Sequence, residues 1–150
     1  MPETITIKTM PPDLMKRMAQ YPQQLEEVLK KTNEASMHVL WEKTPPYPPR
    51  PNSRYVRTGT LGRSFGVSMN GGQVGLPDIF EQKPLGPHGW SGAFGSNVTY
   101  AAEVVGEGTQ KPIHAGIWWT LKTIVQASEV KIQKLHDIAA DKMAAWLDGL

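Results

Sequence analysis

The sequence predicts an α+β fold with N-terminal helices, a small mostly antiparallel sheet, and a long C-terminal amphipathic helix packed on that sheet. Apolar residues recur at helical spacing in residues 25–40 and again in residues 117–146. Between them lie short β-branched and aromatic runs broken by Gly, Pro and Asn, which is typical of strands and turns. Helices and strands thus occupy separate parts of the chain, which favours α+β over alternating α/β. The 150 residues predict a single domain.

The N-terminal part is expected to begin with a strand and to continue into helices. Residues 4–8, TITIK, alternate β-branched and polar side chains. The sequence PPD at residues 11–13 predicts one helix start, and Pro22 predicts another, because proline suits the first helical turn. The second helix is predicted to run to about Lys43, with its inner stripe at Leu25, Val28, Leu29, Thr32, Ser36, Val39 and Leu40. The proline-rich residues 44–51 end it.

The middle of the chain is predicted to contain strands joined by turns and loops. Residues 64–69, SFGVSM, and residues 73–76, QVGL, predict two strands of a hairpin whose turn is Asn70-Gly71-Gly72. A Gly/Pro-rich loop is predicted at residues 80–92, and a further strand at residues 92–101. A second long loop, rich in Pro and Arg, is predicted at residues 44–57.

The last part of the chain predicts a single long helix. Its apolar face extends over about thirty residues, or about 45 Å if the helix is unbroken. That face consists of Ile117, Leu121, Ile124, Val125, Ser128, Ile132, Leu135, Ala139, Met143 and Trp146. We expect burial against the sheet and the first long helix for Trp118, Leu121, Val125, Ile132 and Leu135.

Composition excludes several classes of function. The chain has no cysteine, which rules out disulfides, thiolate catalysis and cysteine-based zinc sites. The formal net charge is only +2, so any contact with nucleic acid has to be local. The N-terminal residues lack the pattern of a signal peptide. The longest apolar run falls short of the ~20 residues that span a bilayer, so we expect no membrane partner.

Residues 54–66, RYVRTGTLGRSFG, approach the pattern of a phosphate-binding loop without matching it. Arg57 stands where the first glycine of that loop is required, and Arg63 stands where the lysine is required. A proline-rich segment replaces the apolar strand that precedes such loops. We therefore expect no nucleotide to bind here.

Other catalytic patterns are also incomplete. Residues 89–93, GWSGA, resemble a nucleophile elbow, but a predicted strand rather than a helix follows Ser91. The four histidines have no His or carboxylate partner at metal-ligand spacing. We therefore expect a protein that is not an enzyme, with no catalytic residue, no cofactor and no metal. A small serine hydrolase using Ser91 and His114 remains an alternative.

One local concentration of charge stands out between Lys43 and Arg63. This basic segment holds five basic residues and no acidic residue, with Tyr47 and Tyr55 between them. Such a segment suits contact with phosphates or with the acidic surface of a protein. The arginines of the segment are Arg50, Arg54, Arg57 and Arg63. They are predicted to face a neighbouring subunit or another partner protein. The alternatives are a loop that binds nucleic acid and a loop that is only solvated.

Two short motifs, taken in their order and spacing, resemble the phage tail-completion family, which comprises head–tail joining, minor tail and neck proteins. The first follows a helix and a Pro-containing break, and consists of Thr58, Gly59, Leu61 and Ser64. The second follows a Phe-Gly-Ser strand and precedes the long terminal helix, and consists of Tyr100, Ala101, Glu107, Gly108, Thr109 and Pro112. The resemblance covers residues 25–147. The chain departs from the family in its Pro/Arg-rich insert and in the loop at residues 80–90.

The resemblance implies a small α+β subunit that assembles with itself as a ring, commonly of six copies. Such a ring lies at the head–tail junction of the virion, between the connector or adaptor and the tail tube. The subunit would be made in the cytoplasm of the bacterial host. The resemblance implies neither catalysis nor a cofactor. Transient contact with genomic DNA is an expectation from the basic segment. In this family the Thr58-Gly59 pair looks like a turn that delivers the chain into the sheet.

Overall fold

The computed structural model of the chain describes residues 3–9, 22–45, 60–67, 75–85, 89–116 and 118–148. The elements follow one another as strand, two helices, two strands and two helices. In chain order they are β1 (Glu3–Thr9), α1 (Pro22–Glu42), α2 (Thr60–Ser64), β2 (Ile79–Pro84), β3 (Trp90–Ser96), α3 (Ala101–Val105) and α4 (Leu121–Asp148). The predicted α+β class is confirmed.

The three strands form one antiparallel sheet in the order β1-β3-β2. The first strand of the chain therefore pairs with the third, and β3 lies in the centre. Ile5, Phe94 and Phe80 stand side by side in this register, so they share the face of the sheet that carries the core. Helix α1 packs on the same face, very close to Gly92. A Cβ atom at Gly92 would lie 2.7 Å from Asn33 Oδ1, so a larger residue here would force the Asn33 and Met37 side chains of α1 to shift.

Helix α1 confirms the predicted stripe. Leu25, Leu29, Val39 and Leu40 are buried, and three hydroxyl-bearing residues are buried beside them. These hydroxyl groups are satisfied within the helix, since Thr32, Ser36 and Thr44 each donate to the carbonyl oxygen four residues earlier. A polar residue can therefore occupy the inner face of this helix without leaving an unsatisfied group.

Helix α4 lies antiparallel to α1. Leu40 shares one hydrophobic cluster with Ile124, and Leu25 shares another with Met143. An exposed ion pair between Lys131 Nζ and Glu42 Oε2, at 2.9 Å, lies where α1 ends. Helix α4 is therefore long enough to pack along the whole length of α1.

The predicted burial of α4 is confirmed only in part. Leu121 is buried, whereas Trp118, Ile132 and Leu135 are half-buried, and Val125 is 41% exposed. The prediction for Val125 is wrong because consecutive helical residues point about 100° apart. Ile124 takes the place in the core at this turn, so its neighbour faces solvent.

The middle of the chain differs most from its prediction. Ser64 ends helix α2 instead of starting a strand, and Gly75 and Leu76 lie in no strand. The predicted hairpin turn at residues 70–72 and the helix predicted from residues 11–13 lie outside the described residues. The loop predicted at residues 80–92 is wrong at both ends, because β2 extends to Pro84 and β3 begins at Trp90. Pro84 is compatible with β2 because it is the last residue of a strand at the sheet edge.

No helix within the described ranges is long and apolar enough to cross a membrane.

Candidate partner interface

The basic segment is described only at its two ends. Arg50, Arg54 and Arg57 lie outside the described residues, as do Thr58 and Gly59 of the first motif. Arg63 is exposed in the last turn of α2. Both ends of the segment are held by the domain: the Thr44 hydroxyl donates to Leu40 O over 2.9 Å, and the α2 residue Leu61 is buried in the core. The segment is therefore attached at two fixed points.

The first motif continues into a chain of buried hydroxyl groups. Ser64 Oγ donates to Leu61 O, and it lies 2.5 Å from Ser96 Oγ at the end of β3. Ser96 Oγ in turn accepts the Val98 amide hydrogen over 3.1 Å. Ser64 and Leu61 thus join α2 to the central strand, which is a structural role.

The turn after α2 requires glycine. Gly66 has φ = +81°, in the left-handed region, and its carbonyl oxygen accepts from Trp41 Nε1 over 3.2 Å. A Cβ atom there would lie 2.6 Å from both Trp41 Nε1 and Gly75 O. Residues 60–66 are therefore a short helix and a tight turn fitted against α1, with no Lys of a phosphate-binding loop.

The second motif satisfies the carbonyl groups at the end of α3. Thr109 Oγ1 donates to Ala102 O over 2.7 Å, and Gly108 turns the chain back with φ = +72°. Gln110 Nε2 donates to Val104 O over 2.8 Å and to Trp118 O over 3.1 Å. This turn therefore connects α3 to the approach to α4.

The remaining residues of the second motif divide between core and surface. Ala101 is fully buried, whereas Tyr100, Glu107 and Pro112 are exposed. Pro112 O accepts the Ala115 amide hydrogen over 3.2 Å. Exposed Tyr100 is the motif residue best placed to contact another protein, because a tyrosine combines an apolar ring with a polar hydroxyl.

A buried polar network joins α1, the sheet and α4. Asn33 Nδ2 donates to Ile7 O and to Thr9 Oγ1, both over 3.0 Å, and its Oδ1 accepts from Gln82 Nε2 over 2.8 Å. Thr9 Oγ1 lies 3.2 Å from His136 Nε2. The network was not predicted, because its members are spread over residues 7–136 and nothing in the sequence marks them as neighbours.

Two exposed ion pairs account for the resolved pKa shifts. The hydrogen bond and charge of Lys131 lower the pKa of Glu42, and Lys31 lowers the pKa of Glu27 in the same way. Glu27 correspondingly raises the pKa of Lys31. Since these side chains are exposed, the shifts indicate solvated ion pairs at the surface.

The structure describes Ser91, which was considered as a nucleophile, and His38, one of the four histidines. Ser91 is buried inside strand β3, opposite Lys8 and Lys83, and not on the strand-to-helix turn that a nucleophile elbow needs. His38 lies against the Phe80 ring, with 5.2 Å between ring centroids. In the part of the chain that the structure describes, no three His, Cys, Asp or Glu residues are placed to hold a metal ion.

No family model matches this chain, and neither a curated protein nor a solved structure shows significant similarity to it.

Proposed function

We propose that this chain is a structural virion protein, a subunit of a ring at the phage neck that joins the connector to the tail tube. The observation that carries the proposal is the order and spacing of the two motifs that resemble the tail-completion family. In this chain those motifs lie between a long helix, a small antiparallel sheet and a long terminal helix. This is the kind of subunit that the resemblance implies.

The roles of the motif residues support the proposal. Leu61 and Ser64 join α2 to β3, while Gly108 and Thr109 close the turn after α3. All four serve to hold one element against the next. A motif that maintains a fold is expected in a family whose members share a framework and contact different partners through their loops.

Exposed apolar side chains in the loops suit contact with other proteins. Leu76, Tyr100 and Ile113 are all exposed, and each lies outside the helices and strands. Aromatic residues are enriched in the buried centres of protein interfaces. A ring subunit needs two different surfaces for its two neighbours, because only head-to-tail contacts close into a ring.

The basic segment is the proposed contact with a negatively charged partner. It carries five basic residues between residues 43 and 63, and no acidic residue lies within that range of the sequence. Arginine suits this role because its planar guanidinium group binds a carboxylate or phosphate through two hydrogen bonds. The prolines of the segment reduce the conformational entropy that it would lose on docking. Its partner would be an acidic ring of the connector or tail, a neighbouring subunit, or the passing genome.

Reversing two charges in the basic segment tests this contact. The double variant Arg54→Glu with Arg57→Glu is expected to fold normally, because the sequence predicts a loop here and charges on a surface loop contribute only ~0–1 kcal/mol to stability. It is expected to fail to join heads to tails, which is measured by counting joined particles in electron micrographs. The matched control is Lys8→Glu with Lys83→Glu, two exposed lysines of the sheet, which should join normally.

Joining at the normal level by the arginine double variant would contradict the proposed contact. A distinct result would favour the nucleic-acid-binding alternative. In that case the parent chain would bind DNA, and the logarithm of its binding constant would fall linearly with the logarithm of the salt concentration. The double variant would reduce the magnitude of that slope by about two.

A further inference from the structure

Helix α4 carries a row of exposed residues on the side that faces away from α1. We call this row the outer stripe; it consists of Ala127, Val130, Lys134, Ile138, Asp141 and Ala145, all of them exposed. At about 100° of rotation per residue, its members fall within about 80° of arc. Val130 is 82% exposed and Ile138 is 54% exposed, so two large apolar side chains of this row face solvent.

The two charged residues of the outer stripe have no ion-pair partner among the described residues. Lys134 and Asp141 are seven residues apart, which places them two turns and about 10.5 Å apart along the helix axis, too far for a direct pair. Three other charged groups of α4 have partners: Lys122 pairs with Glu107, Lys131 pairs with Glu42, and Asp137 accepts from Gln133. The outer stripe therefore presents one unpaired positive charge and one unpaired negative charge at a fixed separation.

We propose that a second copy of this chain docks on the outer stripe, with the two α4 helices antiparallel about a two-fold axis beside residues 137 and 138. In this arrangement Lys134 of each copy lies opposite Asp141 of the other. Ile138 lies next to the axis, where the two copies of this residue meet. Val130 lies opposite the small Ala145, and so leaves room for the helices to approach at an interaxial distance of about 8–10 Å.

The charge order selects the antiparallel arrangement and the second copy. Parallel helices in register would place Lys134 against Lys134 and Asp141 against Asp141, and both like-charge pairs would repel. Reversal of one helix turns both contacts into opposite-charge pairs. This side of α4 carries no net positive charge, because Lys134 is offset by Asp141 and by the exposed Asp148, which falls in the same arc at the end of the helix. It therefore lacks the positive charge that a nucleic-acid or anionic lipid surface would attract.

The pair is expected to be weak. Each copy contributes a single helix face, and contacts below about 1,200 Å² in total are typical of transient association. Asp137 lies beside the axis, so the two copies of this carboxylate approach one another and oppose the pairing. The contact is independent of the proposed ring, because a two-fold contact closes at two copies and a ring of six needs a separate head-to-tail contact.

Sedimentation velocity of the purified chain tests the pairing through a charge swap. We expect reversible dimers to form as the concentration of the chain is raised from about 10 to about 500 µM. Lys134→Asp and Asp141→Lys should each raise the dissociation constant at least about tenfold, because each creates two like-charge contacts. The double variant Lys134→Asp with Asp141→Lys should restore the dimer. Asp137→Asn should strengthen it.

The control is Glu129→Lys, which reverses an exposed charge of α4 on a different side of the helix and should leave the dimer unchanged. All the substituted side chains are exposed, so circular dichroism should show the parent helix content in every variant. A parent chain that stays monomeric over the whole range would overturn the inference. So would a double variant that remains as weak as the single variants.

Discussion

Replacing Asn33 by aspartate is expected to lower the free energy of unfolding by about 3–5 kcal/mol at neutral pH, the cost of an uncompensated buried charge. Asn33 is fully buried, and its Nδ2 group donates to Ile7 O and Thr9 Oγ1. A carboxylate cannot donate to either oxygen, and its own charge would face the oxygen atoms that the amide now satisfies. The losses fall on β1, β3 and α1 together, because Nδ2 also donates to Trp90 O of β3 over 3.4 Å.

The size of this effect is expected to depend on pH. Burial raises the pKa of the introduced carboxyl group above the pKa that it has in the unfolded chain. The free energy of unfolding of the variant therefore falls as the pH rises from the unfolded-state pKa to the folded-state pKa. The protonated acid can donate one hydrogen bond, so the variant should approach the parent more closely at low pH. Urea denaturation at pH 7 and near pH 4 measures both effects.

A matched control for this prediction is Gln126→Glu, which makes the same amide-to-acid change at an exposed position of α4. Its urea midpoint should stay close to that of the parent at both pH values. If Asn33→Asp unfolded at the same urea concentration as this control, the polar network would not contribute to the stability of the fold.

Truncating Ile124 to alanine is expected to destabilise the protein by about 2–5 kcal/mol, a large part of the ~5–15 kcal/mol that typically stabilises a domain. Ile124 is fully buried and belongs to the cluster that includes Leu40, Phe65 and Phe94. Its removal would leave a cavity where α4 meets the rest of the core. Thermal or urea denaturation would record the loss.

The adjacent Val125 provides the control within the same helical turn. Val125→Ala removes apolar surface that is already 41% exposed, so we expect a loss below about 1 kcal/mol. Leu135→Ala should fall between the two, because Leu135 is half-buried. Equal losses for Ile124→Ala and Val125→Ala would mean that α4 does not present one face to the core as described.

The parts of the fold that periodicity defines could be predicted from the sequence. The structure has helices α1 and α4 and strand β1 close to their predicted positions. Each of these elements has apolar or β-branched residues at a regular spacing in its own sequence. Strand β2 was missed because its sequence, IFEQKP, is half-exposed, polar and ended by proline. The pairing of β1 with β3 depends on contacts between residues more than eighty positions apart, such as Ile5 and Phe94, which local patterns do not reveal.

The same distinction applies to the candidate interfaces. The basic segment was visible in the sequence because its five charges lie within 21 successive residues that include no acidic residue. The outer stripe of α4 was not predicted, because only the structure shows which face of the helix α1 covers. Asn33 could not be recognised either, since its partners lie on β1, β2 and β3.

The proposed ring is tested most directly by the mass and shape of the particle that the purified chain forms, alone and with connector added. When connector is present, light scattering combined with negative-stain images should show closed rings whose six copies of a 16.6 kDa chain add about 100 kDa to the connector. Rings should persist in Lys134→Asp, because the two-fold pairing of α4 is a separate contact. Monomers and two-fold dimers alone at every concentration, with no closed ring when connector is present, would contradict the proposed function.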